Sequence, residues 1–353
     1  MVDLAVVTSS RADYGLLKPL LELIPKDKLT LIVTGSHLCY EHGYTVKEIT
    51  HPYEKIEILL SSDTSEAIVK SMGLAQIGVA EIFSRTKPDC LIALGDRFEV
   101  FAICSAAHVF NIPIIHIHGG EVTAGAYDDA FRHSITKMSQ LHFVAAEPYR
   151  DRVIQLGEHP DTVFNVGALG CDGLTKRVDY ENNKSCVLID HPETLGNDNL
   201  PNYLNLYNFL TFNLKLYVKV INSGLDKGSH KNKNKEATNS YPREAYLNML
   251  KQSDFIIGNS SSSIIEAPAL GVPTILVGDR QQGRLLADSI VQCDLNKTSI
   301  EIAIDTVYSD EFQTLMKEDY YTPYKGGNVA EKILSTIYDR FLDIDMKKGF
   351  YDL

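Results

Sequence analysis

The chain has 353 residues, of which 44% are hydrophobic and 23% charged, as is typical of a globular protein with room for two domains. The net charge of −12 argues against a nucleic-acid backbone as the main ligand. No apolar run reaches the ~18 residues of a membrane span, and the first residues lack the features of a signal peptide. The six cysteines are scattered without Cys-x-x-Cys pairs, as expected of free thiols in the cytoplasm, so we predict no metal site, no nucleic acid and no membrane partner.

Short apolar runs alternate with helical segments through the first half of the chain. Each run is bounded by polar, glycine or proline residues, as buried strands are. The predicted strands are residues 4–7, 29–33, 52–60, 90–94, 112–117, 141–145 and 163–166. Strands that alternate with helices predict an α/β fold with a doubly wound parallel sheet.

Polar residues follow several of these strands. Arg11 lies in the turn after the first strand, where unpaired N–H groups at a helix start favour an anion and a guanidinium adds donors for phosphate. A solvated turn with a surface arginine is the alternative. His37 follows the second strand, and Asp96 and Arg97 follow the fourth. Ligands bind at this edge in open α/β folds.

The densest group of polar side chains lies between residues 112 and 143. There a β-branched strand passes through Gly119 and Gly120 into a new helix. The group consists of His116, His118, Glu121, Asp128, Asp129, Arg132 and His133. The two aspartates are also good helix caps, and capping alone is the alternative for that pair. The high density of polar side chains favours this stretch as the site of the chemistry.

A second α/β unit is predicted from the remaining residues, with domains at 1–170 and 171–353. Its strands are residues 185–189, 255–257 and 274–277, its helices include 245–252 and one starting near 264, and a last amphipathic helix covers 328–342. The segment 195–240 shows no clear pattern, and its basic run is typical of a solvated loop.

A serine run after the strand at 255–257 forms the second predicted anion site. Hydroxyls and free N–H groups at a helix start can hold a diphosphate without a metal, although a plain serine cap is the alternative. A glutamate one turn later can accept ribose hydroxyls, and two later arginines can neutralise phosphate or pair with surface acids. The residues are Asn259, Ser260, Ser261, Glu266, Arg280 and Arg284. A Walker loop is missing, which disfavours ATP chemistry.

Together these motifs resemble the UDP-N-acetylglucosamine 2-epimerases, and specifically their hydrolysing branch in bacterial sialic-acid synthesis. The resemblance covers nearly the whole chain apart from residues 195–240. It rests on Ser-Arg-Ala-Asp-Tyr-Gly at 10–15, Thr-Gly-Ser-His at 34–37, Leu-Gly-Asp-Arg-Phe-Glu at 94–99, His-Ile-His-Gly-Gly-Glu at 116–121, Asp-Asp-Ala-Phe-Arg-His-Ser-Ile-Thr-Lys at 128–137, His-Pro-Glu-Thr at 191–194, Gly-Asn-Ser-Ser-Ser at 258–262 and Gly-Asp-Arg-Gln-Gln-Gly-Arg at 278–284.

The resemblance implies two Rossmann-like domains of the GT-B type, with a cleft between them and the final helix crossing back to the first domain. It implies loss of UDP from UDP-GlcNAc to give 2-acetamidoglucal, followed by addition of water to give N-acetylmannosamine. The implied partner is a sugar nucleotide, no cofactor is required, and a homodimer or homotetramer is expected.

The resemblance also implies roles for individual residues. The essential acids correspond to Asp96 and Asp128, and His37 and His191 match positions that contact the substrate. The remaining predicted substrate- or nucleotide-binding residues are Arg11, Arg97, Asp129, Arg132, Asn259, Ser260, Ser261, Glu266, Arg280 and Arg284. Many relatives carry a catalytic glutamate where this chain has His118. Either His118 takes that role or Glu121 reaches in from three residues away.

Three alternatives remain open. The same chemistry on a nucleotide-linked N,N′-diacetylbacillosamine, toward legionaminic-type acids, would use every motif named above. A GT-B glycosyltransferase would use the same fold but would need an acceptor site. A non-catalytic sugar-nucleotide sensor would have no use for clustered carboxylates.

Overall fold

The structure is a computed structural model, and it describes residues 2–60, 62, 64–123, 126–177, 182–189, 191, 205–221, 241–324 and 326–353. The chain divides into two compact units. Unit 1 consists of Met1–Glu121, Tyr127–Asp172 and Gly326–Leu353, and unit 2 of Val122–Ala126 and Gly173–Lys325.

The sheet of unit 1 has seven strands, all parallel, in the order β3-β2-β1-β4-β5-β6-β7. The strands are β1 (Leu4–Thr8), β2 (Leu29–Thr34), β3 (Tyr53–Ile56), β4 (Cys90–Leu94), β5 (Ile114–Ile117), β6 (Leu141–Val144) and β7 (Val163–Asn165). The predicted doubly wound parallel sheet is therefore confirmed. Strand order reverses at β1 and β4, so a ligand crevice is expected where these two strands end.

Helices cover both faces of this sheet. They are α1 (Arg11–Leu23), α2 (Ser65–Thr86), α3 (Phe98–Val109), α4 (Asp128–Met138), α5 (Glu147–Gln155) and, from the end of the chain, α10 (Val329–Arg340). In β1, Leu4 and Val6 face the core under α1 and α10, whereas Ala5 and Val7 face the core under α2 and α3. Burial on both faces explains why the strands are continuous apolar runs.

Helix α1 begins at Arg11, although the sequence predicts that the turn after β1 continues to residue 15. Ser10 is its N-cap, and its side chain accepts from the Asp13 backbone N–H while the Asp13 carboxylate accepts from Ser10 N at 3.0 Å. This reciprocal capping box extends the helix by one turn toward the strand. Strand β3 is shorter than predicted and ends at Ile56.

The sheet of unit 2 has five parallel strands in the order β12-β11-β10-β8-β9. They are β8 (Ser185–Ile189), β9 (Tyr217–Ile221), β10 (Phe255–Gly258), β11 (Thr274–Val277) and β12 (Ile290–Cys293). The helices are α6 (Arg243–Lys251), α7 (Ser262–Ala269), α8 (Lys297–Tyr308) and α9 (Asp310–Lys317). The reversal of strand order lies here at β8 and β10, so their carboxyl ends mark the second ligand crevice.

The segment that gave no clear pattern contains two described elements. Residues Phe209–Asn213 form a short π-helix, and β9 extends the sheet beside β8. Leu210 and Val220 are buried there, but the apolar residues are too few beside their polar neighbours to predict these elements from sequence. Most of the motif at 191–194 lies outside the described residues.

Helix α2 departs from the expectation that no segment could cross a membrane. It has 22 residues and an 18-residue window with mean hydropathy 1.2, enough for a span by length and composition alone. In the structure 33% of that window is buried, and Ala75, Val79 and Phe83 pack into the core. A core helix of a soluble protein passes the same test.

A buried carboxylate fastens the end of the chain to unit 1. Glu158 is 2% exposed and pairs with Lys137 at 2.9 Å, His142 at 3.1 Å and Lys348 at 2.6 Å. Burial alone would raise the pKa of Glu158, but its hydrogen bonds and charge interactions with His142 and both lysines lower it to about 2. The carboxylate is therefore ionised throughout the physiological range.

We expect Glu158→Gln to lower the free energy of unfolding by about 3 kcal/mol at pH 7, because it leaves the Lys137 and Lys348 ammonium groups without their buried counter-charge. A lowered pKa stabilises the fold above the unfolded value of 4.5, and this contribution is lost as the pH falls to about 2. Urea unfolding of both proteins across this range should show their difference shrinking. Glu147→Gln, in an exposed ion pair with Arg150, is the control and should change stability by less than about 1 kcal/mol.

Candidate functional site

The first site lies in unit 1 at the carboxyl ends of β4 and β5. Asp96 follows β4, and Arg132, from the second turn of α4, pairs with its carboxylate. Arg132 is 3% exposed and also donates to Asp129 Oδ1 at 3.0 Å and to the Glu121 carbonyl at 2.9 Å. One guanidinium thus joins the Asp96 loop, the start of α4 and the turn after β5.

His116 supports this arrangement from inside the sheet. Its Nε2 lies 2.8 Å from the Gly95 carbonyl and its Nδ1 3.0 Å from the Thr136 hydroxyl. Burial lowers the pKa of His116 to about 3, so the ring is neutral, with Nε2–H donating to Gly95 and Nδ1 accepting from Thr136. His116 therefore holds the loop that carries Asp96 rather than exchanging protons with a ligand.

His118 and Glu121 form a buried pair beside it. His118 Nδ1 lies 2.9 Å from Glu121 Oε1, and His118 Nε2 accepts the Leu169 N–H at 3.2 Å. Because Nε2 is an acceptor, the proton resides on Nδ1 and is donated to the glutamate. His118 also adopts a left-handed backbone conformation with φ 67°. Both ring nitrogens of His118 are therefore used within the fold.

The two aspartates at the start of α4 do not act as a simple cap. The N-cap position is Tyr127, which makes no side-chain cap hydrogen bond, and the helix begins at Asp128. Asp129 binds Arg132, and its other oxygen lies 3.5 Å from His133 Nε2. Both aspartates are half-buried at the helix end where negative charge is stabilised.

Two further predicted residues have partners inside unit 1. Arg11 forms a two-point ion pair with Glu48, a residue that the sequence reasoning did not single out. His37 is fully buried, with Nε2 3.1 Å from Thr8 Oγ1 and Nδ1 2.8 Å from Thr45 Oγ1. In this structure His37 therefore braces the ends of β1 and β2 and has no surface to offer a ligand.

The turn after β1 contains its own internal anion. The Asp13 carboxylate accepts from the Ser9 N–H at 2.7 Å and from the Ser9 hydroxyl at 2.9 Å. The N–H groups expected to hold a phosphate in this turn are thus partly taken by a side chain of α1. A carboxylate three residues into a helix was the available signal for this capping.

Arg97 completes the described contacts at this edge. It is the N-cap residue of α3, and its guanidinium lies 3.3 Å from both carboxylate oxygens of Glu99. Glu99 is fully buried, which raises its pKa, while Arg97 acts in the opposite direction. Arg97 therefore has a carboxylate partner within its own loop.

The second site lies in unit 2 where β8 and β10 end. The Asn259 side chain binds the backbone of His191 at two points, accepting its N–H at 2.7 Å and donating to its carbonyl at 2.8 Å. Asn259 thus fixes the two loops at the switch point of the second sheet.

The serines differ in exposure and use. Ser260 and Ser263 are buried, and the Ser263 hydroxyl donates to the Ser260 carbonyl. Ser261 is exposed and occupies the N-cap position of α7, yet its side chain makes no cap hydrogen bond. Ser260 Oγ instead accepts the Ser262 N–H at 3.4 Å, so one serine of the run caps the start of α7.

The two predicted phosphate-binding arginines are placed differently. Arg280 donates to the Asn259 carbonyl at 3.1 Å and is half-buried beside the serine run. Arg284 donates to the Val122 carbonyl and to Thr123 Oγ1, both at 3.2 Å. Only Arg280 is therefore brought next to the serines by the described contacts.

Glu266 lies in a compact network at the start of α7. One oxygen pairs with Arg243 at the first position of α6, and the other accepts the Ser262 hydroxyl at 2.5 Å. The Tyr246 hydroxyl lies 2.5 Å from Ser262 Oγ. Sequence reasoning placed Tyr246 in the helix 245–252 and gave Arg243 no role, because a contact across 23 residues has no local signature.

Among the described residues, one group could hold a metal ion by its spacing. It consists of Cys39, Glu41 and His42, whose ligand atoms lie within 4.8 Å of one another. They occupy a surface turn after β2, and Glu41 is exposed. The set does not include any of the predicted site residues.

Comparison with known proteins shows the family to which the chain belongs. A family model described as UDP-N-acetylglucosamine 2-epimerase matches residues 22–338. The chain belongs to the UDP-N-acetylglucosamine 2-epimerase family. Polysialic acid biosynthesis protein P7 of Escherichia coli is 35% identical to this epimerase, covering 100% of the chain and 98% of its relative. The hydrolysing GDP/UDP-N,N′-diacetylbacillosamine 2-epimerase of Campylobacter jejuni is also 35% identical, covering 99% of each.

Solved structures agree on the fold. The Methanocaldococcus jannaschii UDP-GlcNAc 2-epimerase, solved with UDP-GlcNAc and UDP, matches with a TM-score of 0.77 at 16% identity, covering 95% of this chain and 99% of that one. The predicted GT-B-type fold of this epimerase is confirmed, and it is an enzyme of the hydrolysing 2-epimerase kind that acts on a sugar nucleotide.

Proposed function

We propose that this epimerase converts UDP-GlcNAc and water into N-acetylmannosamine and UDP. The observation that carries the proposal is the carboxylate cluster of unit 1, in which Arg132 connects Asp96, Asp129 and the Glu121 turn. Elimination followed by hydration needs a base for one step and an acid or base for the other. Several carboxylates in different environments supply the candidates for these two roles.

The C2 hydrogen of the sugar is not acidic, because no carbonyl is attached to C2. It becomes removable as the C1–O bond breaks and its electron pair leaves with the diphosphate, so that C1 gains positive charge. Loss of the C2 proton to a carboxylate then forms the C1–C2 double bond of 2-acetamidoglucal. Water adds next, with its oxygen at C1 and a proton at C2 from the opposite face. We assign these proton transfers to Asp96, Glu121 and Asp128.

In this proposal unit 2 holds the nucleotide. Ser261 at the start of α7 and the half-buried Arg280 stabilise the charge that develops on the diphosphate. The Arg280 Nε–H has no hydrogen-bond partner among the described residues, which leaves a donor for a phosphate oxygen. Glu266 accepts ribose hydroxyls, and Asn259 keeps the loop at His191 in place.

Two candidate sugars are compared in the test, because of two relatives that are 35% identical one is named for polysialic acid biosynthesis and the other as a hydrolysing N,N′-diacetylbacillosamine 2-epimerase. The test is release of UDP from UDP-GlcNAc and from UDP-N,N′-diacetylbacillosamine, measured with a coupled assay at matched concentrations. A higher kcat/KM for UDP-GlcNAc supports the proposal. A preference for the diacetamido sugar would reassign the substrate while keeping the reaction, and activity that requires an added sugar acceptor would indicate a transferase.

We also propose a homo-oligomer that uses one face of α2. Val69 and Ile77 are 66% and 68% exposed, and Gly73 lies between them on the same helical face, so an apolar stripe is open to solvent. We expect light scattering to give a multiple of the 39.3 kDa chain mass, and Val69→Glu with Ile77→Glu to give the single-chain mass. A wild-type protein that is already monomeric at micromolar concentration would contradict the proposal.

A further inference from the structure

The Glu266 carboxylate is held more tightly than a solvent-exposed ligand group would be. Its side chain is 8% exposed, and one of its oxygens pairs with the Arg243 guanidinium. The other oxygen accepts the Ser262 hydroxyl at 2.5 Å. A buried carboxylate without such partners would be strongly destabilised, so these contacts compensate for the burial of Glu266.

The two described partners of the Glu266 carboxylate leave some of its hydrogen-bond acceptor positions unused. An ionised carboxylate offers about four acceptor positions, two on each oxygen. Among the described residues, Arg243 uses one position on Oε1 and Ser262 one on Oε2. One acceptor position therefore remains on each oxygen, a pattern that matches two vicinal hydroxyl groups.

A hydrogen-bond chain gives this carboxylate a fixed direction. Burial, and then the charge of Glu266, raise the pKa of the Tyr246 phenol, so it stays protonated. Because Ser262 donates its proton to Glu266, Tyr246 donates to Ser262 Oγ at 2.5 Å. The chain from Tyr246 through Ser262 to Glu266 is thus oriented, and Arg243 closes it from the other side.

We propose that Arg243 is a positioning residue that makes the nucleotide site selective for a ribose over a 2′-deoxyribose. It holds Glu266 turned so that its remaining acceptor positions receive both ribose hydroxyls. Arg243 is suited to this because its planar guanidinium donates to Oε1 in a fixed geometry, which a lysine ammonium does not do. The inference rests on the proposed nucleotide role of unit 2 and adds the residue that sets sugar selectivity there.

The test measures binding of UDP and of 2′-deoxy-UDP to the full chain by isothermal titration calorimetry. Wild type is expected to bind UDP about 10-fold or more tightly than 2′-deoxy-UDP, since a charged hydrogen bond is lost with the hydroxyl. Arg243→Met is expected to weaken UDP binding about 10- to 100-fold and 2′-deoxy-UDP binding much less, so the ratio of the two dissociation constants falls toward 1. Arg243→Lys should give an intermediate ratio.

The matched control is Lys251→Met, which removes a positive charge from the other end of α6 and should keep the wild-type ratio. An Arg243→Met protein that keeps the wild-type ratio, whatever its absolute affinity, would overturn the inference while leaving the nucleotide site intact. If that variant does not fold by circular dichroism, the ratio for Arg243→Lys decides in the same way. A wild-type protein that binds neither nucleotide would instead refute the nucleotide role itself.

Discussion

Replacing Asp96 with asparagine is expected to lower kcat by about 10²- to 10⁴-fold and to leave UDP binding nearly unchanged. The substitution preserves the size of the side chain but removes the group that accepts or donates the proton. The fold should tolerate it, because Arg132 keeps its bonds to Asp129 and to the Glu121 carbonyl. Steady-state kinetics and calorimetric UDP titration measure the two effects separately.

Asp151→Asn is the matched control for this experiment. Asp151 is exposed on α5 of the same unit, so its replacement should change neither kcat nor UDP binding. An Asp96→Asn enzyme with undiminished turnover would remove Asp96 from the chemistry. A variant that instead loses UDP binding in parallel with turnover would show that the residue acts through substrate affinity.

Glu121→Gln is expected to reduce kcat by at least about 100-fold, and His118→Asn by only about 10-fold. The structure gives His118 the role of a support, because its Nε2 accepts the Leu169 N–H and its Nδ1 faces Glu121. Glutamine keeps the shape of Glu121 but cannot take up a proton. Asparagine is the suitable replacement at 118, because it tolerates the left-handed backbone conformation with φ 67°.

Comparing the two variants answers which residue carries the chemistry. If turnover falls far more in His118→Asn than in Glu121→Gln, His118 is the reacting group. It would then take the role of the catalytic glutamate that many relatives carry at this position. Thermal unfolding of both variants is the control, since both side chains are buried and a loss of folded protein would lower the two rates alike.

The parallel sheet and most strand positions follow from the sequence alone. Runs such as Cys90–Leu94 and Thr274–Val277 are apolar throughout and bounded by glycine, proline or charge, so the boundaries come from local chemistry. The early start of α1 at Arg11 was missed, although the pattern of Ser10 and Asp13 is a recognisable capping box. Strand β9 was missed because only Val220 among its five residues is buried, so no apolar run marks it.

The candidate site was less accessible from sequence, for a physical reason. Strand ends predicted that Asp96, Glu121 and Asp128 belong to one edge, but the partners of a side chain come from distant parts of the chain. Glu48 faces Arg11 across 37 residues, and Arg243 faces Glu266 across 23. Such pairs depend on how the helices pack, so no local pattern reveals them.

The most direct test of the proposed reaction is proton exchange at C2. The protein is incubated with UDP-GlcNAc in D₂O, and the released sugar is followed by NMR. We predict free UDP and N-acetylmannosamine that carries deuterium at C2, because the C2 proton is lost in the elimination and replaced from solvent. Release of UDP with a sugar that keeps its C2 hydrogen would contradict the elimination mechanism and the roles given to the carboxylates.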